Sequence, residues 1–467
     1  MDLSRAIIID NEILSYHNNK GEKIVFRKTG DVSAIHEDFY FTNPERVSEM
    51  EILNMEIPYS KNVFENLPRL KMLKISDCNI PSYAFHHCFE LETVILDRVK
   101  IGHESFTRCP KLKEVSLDNV ISVRNNSFDW ESFNDIEHRP DGLVVYDGWL
   151  VDCDEIPHDG NLVIKTDIRG IAGDIFENIT LNSVIIKGPV INIGPKAFKN
   201  AGLDGGIQFE YKNSLHFLGH EAFAKTNLNE VDCGFELADI ESSAFYSCKH
   251  LSEVYWDGRT IPERTFMRCE NLERVSISNM TISIEKLAFA FCRSLKVVYV
   301  PQTVTYIGDY AFAEKGTFAE MGKVKLQIPP HCTMGFRVLN NTKPETAIKD
   351  GNLMMGDWMY KSYFALNHHG EHIERITLQD YVTGILPEAF EGITIDDLFL
   401  SPNTTAICPE ALKGTDLRKL HGTTSLSAVP AELFRECPNL ADVDIYEDAE
   451  LVQGFSNVSS KEPRYFT

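Results

Sequence analysis

The residues of this chain whose types and spacing could do chemistry are its cysteines and one run of histidines. Six of the eleven cysteines occupy a single position of a repeated pattern: Cys88, Cys109, Cys248, Cys269, Cys292 and Cys437. No two cysteines form a C-x-x-C pair, so the sequence lacks that redox and zinc motif. The regular position indicates small buried thiols without disulfides, which is typical of a reducing compartment.

The histidine run covers residues 368–372, where three histidines and Glu371 lie close together. Such a run could hold a divalent ion if its loop curled. No second cluster of matched spacing accompanies it, and its neighbours favour a solvated hairpin turn, so we predict no metal site. His86 and His87 lie within a repeat and are interpreted as surface residues.

Nucleophilic catalysis would need a reactive side chain with an activating neighbour. Cys153 and Cys332 lie outside the repeated position, but nothing near them in the sequence argues for a lowered thiol pKa. The chain has no G-x-S-x-G, H-E-x-x-H or Walker-type loop. We therefore predict that the protein is not an enzyme, and that it has no catalytic residue and no cofactor.

The cysteines belong to the pattern I-x-x-x-A-F-x-x-C-x-x-L-x-x-V-x-I, whose clearest copies begin at Ile240, Ile261 and Ile284. A period of this length predicts a solenoid. The segment L-x-x-V-x-I ends with the alternation of a short strand that has two inward side chains. One turn cannot bury so much apolar surface, so stacked turns must share a core in which each Phe lies on the next.

The same pattern, best seen at 307–312 and 288–295, resembles the BspA-like class of leucine-rich repeats, and the resemblance covers residues 35–445. It implies a strand-lined horseshoe or superhelix without catalytic residues, in surface or secreted proteins that bind host or matrix proteins. We therefore predict a leucine-rich-repeat solenoid: a curved array, rich in short β-strands and interrupted by β-hairpin inserts.

Hairpin signals divide the predicted array into blocks. An N-terminal hairpin that turns at residues 17–21 opens the first block, 1–134. The Asp147-Gly148 step between apolar runs indicates a second hairpin, which opens the block 135–339. A similar interruption opens the block 340–446, and residues 447–467 are predicted to be a cap and tail. Because no linker rich in Gly, Pro or Ser separates the blocks, we expect one continuous solenoid.

Charge and hydropathy restrict the partners and the compartment. Lys and Arg number 46 against 69 Asp and Glu, a net charge of −23, which repels phosphate backbones and excludes nucleic acid from the predicted partners. No stretch approaches a membrane span, and the N-terminal apolar run is too short for a signal peptide. As written, the chain is predicted to be cytoplasmic, and the family resemblance implies the alternative of a cell-surface or secreted protein.

The outward side chains of stacked strands form regular rows that could contact a partner. The patch most typical of binding combines aromatic and charged residues: Glu253, Tyr255, Arg274, Ser276 and Tyr299. Exposed aromatics flanked by charge are common anchors, although tyrosine also suits strand faces in general. We predict adhesion-like, non-enzymatic recognition of a protein, with a glycan as the second ligand class. The alternative is a structural spacer or self-assembly module without a dedicated ligand.

Overall fold

The computed structural model describes residues 3–18, 22–59, 63–211, 214–231, 239–313, 325–329, 332–335, 338, 347–349, 352–355, 358–423, 425, 437–447 and 450–452. The chain divides into two compact units. The first comprises Met1–Leu228 and Leu237–Ala244, and the second comprises Asn229–Glu236 and Phe245–Thr467. Each unit is built from β-solenoid turns with hairpin inserts, which confirms the predicted fold class. The predicted division into three blocks stays a prediction.

The described strands of the first unit form five sheets. Sheet by sheet, they are Ala6–Ile9, Glu12–Tyr16 and Ala34–Phe41; Glu22–Arg27, Val47–Leu53, Met72–Ser76 and Thr93–Asp97; Asn79–Ile80 and Lys100–Ile101; Glu137–His138, Leu143–Tyr146, Trp149–Cys153, Gly170–Ile171, Asn192–Ile193, Phe217–Leu218 and Asp239–Ile240; and Asn161–Ile164, Ser183–Ile186 and Ile207–Phe209.

The described strands of the second unit form four sheets. These are Glu230–Val231, Glu253–Trp256, Arg274–Ile277, Val297–Tyr299 and Lys325–Gln327; Thr260–Ile261, Ser283–Ile284, Tyr306–Ile307 and Thr333–Met334; Ala347–Lys349, Asn352–Met355, Trp358–Lys361, Gly384–Ile385 and Ala406–Ile407; and His372–Thr377, Thr394–Phe399, Lys419–Thr423, Asp442–Glu447 and Glu450–Val452. Helical segments in the described parts of both units are short: Leu3–Arg5, Pro44–Arg46, Trp130–Ser132 and Tyr363–Asn367.

Turns of the clearest repeats contribute to two parallel strand ladders. The longer strands place Val254, Val275 and Val298 in register, and all three are buried. A second ladder joins the two-residue strands Thr260–Ile261 and Ser283–Ile284. At the first position of the pattern, which Ile261 and Ile284 occupy, the sequence predicts an apolar residue but no strand. Two residues are too few to show the alternation of a strand.

The phenylalanines of successive turns form one column in the core, as predicted. Ring centroids of Phe245 and Phe266 are 5.6 Å apart, those of Phe266 and Phe289 are 5.4 Å apart, and Phe312 follows at 5.3 Å. The rings stay within 11° of parallel. We call these four residues the phenylalanine column. Because each ring covers its neighbour, burial is shared between turns and no turn is apolar enough to stand alone.

The repeated cysteines lie beside this column and have a hydrogen-bonding role. Cys269 Sγ donates to the carbonyl oxygen of Phe245 at 3.3 Å, and Cys292 Sγ donates to that of Phe266 at 3.1 Å. The ten cysteines in the described residues are all free thiols. The prediction of buried thiols without disulfides is therefore confirmed, and the thiol fits because it is a small apolar group that can still donate to a carbonyl.

Two of the three predicted hairpins are present where the sequence indicates them. Leu143–Tyr146 pairs antiparallel with Trp149–Cys153 around Asp147 and Gly148, whose φ angles of 45° and 73° suit a tight primed turn. Asn352–Met355 pairs antiparallel with Trp358–Lys361. The tryptophans of these two hairpins, Trp149 and Trp358, are fully buried.

The predicted position of the N-terminal hairpin is wrong. Ala6–Ile9 pairs antiparallel with Glu12–Tyr16, so the hairpin turns at Asp10 and Asn11, whereas residues 19–21 of the predicted turn lie outside the described residues. Both turn residues have left-handed φ angles of 48° and 66°, which Asp and Asn tolerate better than most residues. Glu22–Arg27 lies in another sheet, where it pairs in parallel with Val47–Leu53.

One predicted strand is replaced by a cap of side chains. The segment around Val115 and Leu117 has buried side chains but does not join a sheet. Tyr146 Oη contacts both the N–H and the carbonyl of Val115 at 2.9 Å, and Asp147 accepts from the N–H of Leu117 at 2.6 Å. The hairpin insert therefore satisfies backbone groups that the next strand would otherwise pair with.

Candidate recognition surface

The five predicted contact residues come together on one face of the long-strand ladder in the second unit. In-register pairing places Glu253 opposite Arg274, and it aligns Tyr255, Ser276 and Tyr299 in one row across three strands. Since neighbouring strands lie about 4.8 Å apart, the two tyrosines project roughly 10 Å from one another with the small Ser276 between them. We call these five residues the recognition face.

Side chains of the recognition face are open to solvent although the backbone beneath them is fixed. Tyr255 is 53% exposed and Tyr299 is 49% exposed, and the other three residues are also exposed or nearly so. The valines that alternate with them are at most 1% exposed. The strands are thus anchored by their inward side chains, and the outward side chains are held in a fixed row.

Charge of both signs flanks the tyrosine row. Lys296 Nζ lies 2.6 Å from Glu273 Oε1 beside the strands that carry Arg274 and Tyr299. The hydrogen bond from Lys296 holds the pKa of the Glu273 carboxyl below its usual value. This mixed border could pair with polar groups of either sign around an aromatic centre, which is the usual anatomy of a protein-binding patch.

The environment of the cysteines does not favour a nucleophilic thiolate. Burial raises the pKa of Cys153 to about 11 and that of Cys332 to about 12. Burial likewise raises the pKa values of Cys88 and Cys109 to about 12. A thiol with so high a pKa is almost entirely protonated at neutral pH, so it is a poor nucleophile.

The histidine run does not adopt the predicted hairpin turn. A short helix, Tyr363–Asn367, precedes it, and the strand His372–Thr377 follows. His368 contacts Glu371 at 3.0 Å, whereas His372 contacts Thr394 at 3.0 Å and Asp396 at 3.1 Å on the next strand. These side chains point to different partners because the strand register, and not a curled loop, positions His372.

A different cluster brings metal-ligating atoms together. Ligand atoms of Glu65, His86 and His87 all lie within 4.8 Å of one another in the first unit. This is the only such group among the residues that the structure describes. The sequence interpretation treated the histidines as surface residues and missed Glu65. The signal that could have found it is the repeat period, since Glu65 precedes His86 by 21 residues.

An open groove of about 910 Å³ lies elsewhere in the first unit. Its lining mixes apolar side chains such as Met55 and Ile57 with charged ones. Asp77 and Arg98 in this lining already bind each other through two hydrogen bonds of 2.6 and 2.7 Å. The groove therefore offers less free hydrogen-bonding capacity than its composition suggests.

Comparison with models of known protein families identifies the type of repeat in this chain. The chain matches the model described as BspA type leucine rich repeat region, in 6 copies, over residues 9–134, 78–204, 206–318 and 364–461. It belongs to the BspA-type leucine-rich-repeat family. The resemblance inferred from the repeated pattern is thus confirmed, and proteins with this repeat fold are generally not enzymes.

Several solved structures are similar to this BspA-type protein. A leucine-rich cell surface protein from Faecalibacterium prausnitzii is 17% identical, with 67% of this chain and 93% of that chain covered and a TM-score of 0.34. A leucine-rich repeat protein from Bacteroides ovatus is 16% identical, with 93% and 95% covered and a TM-score of 0.23. The pneumococcal vaccine antigen PcpA is 14% identical, with 64% and 90% covered and a TM-score of 0.26. The comparison with curated proteins finds no match.

Within the described parts of this BspA-type protein, no helix is both long enough and apolar enough to cross a membrane.

Proposed function

We propose that this protein recognises another macromolecule, in the first place a protein, through the recognition face. The observation that carries the proposal is the row of two half-exposed tyrosines that flank Ser276 on a ladder whose inward side is fully buried. Tyrosine is enriched among residues that dominate binding energy. A preformed row also avoids the free-energy cost of ordering side chains on binding.

The recognition face forms the centre of a larger contact. A stable protein interface buries about 800 Å² on each partner, which is more than five side chains provide. Glu230, which is exposed and pairs in register with Glu253, extends the surface along the ladder, and the exposed Lys296 lies directly before the strand Val297–Tyr299. In this arrangement the tyrosines supply most of the binding energy and the charged border sets orientation.

The proposal is tested with the double variant Tyr255→Ala/Tyr299→Ala. A photoreactive amino acid at position 276 is used first to crosslink and identify the partner, and affinity is then measured with the purified pair. We expect the double variant to weaken binding by at least tenfold, since each anchor contributes about 1–2 kcal/mol or more. Unchanged affinity would contradict the proposal.

The matched control is Tyr306→Ala. Tyr306 is 37% exposed and belongs to the second ladder of the same turns, so its removal deletes a similar ring from another face. We expect this variant to retain the affinity of the wild-type chain. Equal losses in the control and the double variant would indicate a general effect on the fold.

A glycan is the second ligand class, because two aromatic rings flanking a hydroxyl resemble a surface on which sugar rings stack. Binding to a glycan array that is lost in the double variant would favour this alternative. A spacer or self-assembly role predicts that the molar mass from light scattering rises with protein concentration. The cytoplasmic location and its cell-surface alternative stay predictions, which fractionation of the producing cells distinguishes.

A further inference from the structure

The cluster of Glu65, His86 and His87 spans two consecutive turns of the first unit. Glu65 Oε1 lies 3.5 Å from His87 Nδ1, and the two imidazole ring centroids are 4.0 Å apart. His86 is buried, and the other two residues are partly exposed. The cluster therefore lies at the surface of the core, where an ion could reach it from solvent.

The repeat itself builds this cluster. Phe64 and Phe85 stack with their centroids 5.3 Å apart, so the residues that follow them, Glu65 and His86, lie one above the other. The backbone N–H of Asn66 donates to the carbonyl of His86 at 3.0 Å and fixes this register. His87 has a left-handed φ of 62°, which lets two sequence neighbours present their rings on one side instead of alternating as they would along a strand.

The hydroxyl of Thr107 lies beside one ring nitrogen of His86. With its hydrogen donated to the carbonyl of Glu104, 3.1 Å away, Thr107 Oγ1 accepts from His86 Nδ1–H, 2.6 Å away. The lone pair of His86 therefore lies on Nε2. A histidine whose second nitrogen donates to a fixed acceptor is the usual arrangement of a metal ligand.

His87 has a partner on each ring nitrogen. Arg108 Nη1 donates to Nε2 at 2.9 Å, so Nδ1 carries the proton and faces Glu65. To bind a metal at Nδ1, the neutral ring must transfer its single proton from Nδ1 to Nε2, from which Arg108 then withdraws. Metal binding is thus coupled to a change of tautomer and to movement of one exposed arginine.

We propose that Glu65, His86 and His87 bind a Zn²⁺-class divalent ion, with water in the fourth position. Ligands about 2.1 Å from a tetrahedral zinc ion lie roughly 3.4 Å from one another, which agrees with the 3.5 Å between Glu65 and His87. Imidazole and carboxylate are a common zinc donor set. The ion joins two turns of the stack, and the net charge of −23 favours cations near the molecule.

The test uses the full chain freed of metal by chelation, titrated with Zn²⁺ in a calorimeter. Tetrahedral coordination is read from the visible absorption of Co²⁺ and its loss on adding Zn²⁺. We expect one high-affinity equivalent in the wild-type chain and none in His86→Ala or His87→Ala. Thr107→Val, which removes the hydroxyl beside His86 Nδ1 and keeps the shape of the side chain, should weaken binding by about 10–100-fold.

Two control variants should retain this equivalent. His103→Ala removes a histidine of the same unit that contacts Asn126 and Asp174 but belongs to no three-ligand group among the described residues. His368→Ala/His372→Ala removes the histidine run of the second unit. Retention in both, with loss in His86→Ala, assigns the ion to the proposed site.

The proposal is overturned if the wild-type chain binds no Zn²⁺, if His86→Ala binds it as tightly as the wild type, or if only the His368→Ala/His372→Ala variant loses it. Circular dichroism verifies that each variant is folded. Should His86→Ala fail to fold, the shape-conserving variants Glu65→Gln and Thr107→Val decide, and unchanged affinity in both would overturn the proposal.

Discussion

At the residue scale, the repeat selects side chains for what they do between turns. Cysteine recurs because its thiol donates to the phenylalanine carbonyl of an earlier turn while filling a small apolar space. Charged residues follow the same rule when they are partly buried. Lys199 lies 2.7 Å from Glu221 and 3.7 Å from Glu177, and it is the least exposed of the three.

We expect Lys199→Met to lower the free energy of unfolding by about 1–2 kcal/mol at pH 7. Burial alone would raise the pKa of Glu221, but its hydrogen bond and attraction to Lys199 outweigh burial and lower it below 4.5. A lowered pKa in the folded state stabilises the protein above pH 4.5, and this contribution is lost as the pH falls through the folded-state pKa.

Denaturant unfolding of both proteins at a series of pH values measures this effect. The difference between variant and wild type should shrink below pH 4.5. Lys249→Met is the control, since Lys249 is 62% exposed and lies 3.7 Å from Glu270, so its loss should change stability little. If the stability difference between Lys199→Met and the wild type did not depend on pH, the stabilisation would not come from the contact between Lys199 and Glu221.

At the element scale, the hairpin insert at residues 143–153 caps the backbone of an earlier turn with side-chain hydrogen bonds, where a further strand would otherwise pair. Tyr146 is central to this cap, because its hydroxyl both donates to and accepts from the backbone of Val115. The Asp-Gly turn of the insert is readable from the sequence, but the cap is not. It depends on where the hairpin lies against residues about 30 positions earlier.

We expect Tyr146→Phe to lower the free energy of unfolding by about 2 kcal/mol, because it leaves the buried N–H of Val115 without its acceptor. Thermal or denaturant unfolding measures the loss. Tyr255→Phe, at a half-exposed ring, should change stability by less than about 0.5 kcal/mol. If both variants were equally stable, the hydroxyl of Tyr146 would not act as a cap.

Features that depend only on the repeat spacing can be predicted from the sequence, whereas features that depend on the local backbone conformation cannot. The phenylalanine column and the row of Tyr255, Ser276 and Tyr299 both follow from a spacing of 21–23 residues. The second ladder is missed because two residues show no alternation. The grouping of His86 with His87 is missed because it requires a left-handed backbone at His87, a conformation that single residue types rarely signal.

At the scale of the whole molecule, stability is distributed among neighbouring turns within each unit. Phe266 contacts the rings on both sides in the phenylalanine column, so its loss opens two interfaces at once. In the first unit, Lys100 reaches Glu241 at 2.7 Å and the ring of Phe217 at 4.5 Å, across more than a hundred residues of sequence. Early and late turns of this unit therefore also contact side by side.

We expect Phe266→Ala to cost about 3–5 kcal/mol through cavity formation. Because turns are coupled to their nearest neighbours, the loss should concentrate near the substitution. Hydrogen exchange read by mass spectrometry should show faster exchange between residues 245 and 312, with protection in the first unit retained. Uniform loss of protection over both units would contradict nearest-neighbour coupling.

The hydrogen bonds between turns have a consequence for how such a chain changes over evolutionary time. The backbone N–H of Phe245 donates to Thr265, that of Phe266 to Ala288 and that of Phe289 to Ala311, so each of these hydrogen bonds links a residue to the one just before its counterpart in the next period. Duplication or deletion of one complete period leaves the flanking hydrogen bonds with equivalent partners. Recombination can therefore lengthen or shorten genes of this kind by single repeats, while a partial repeat would disrupt the register.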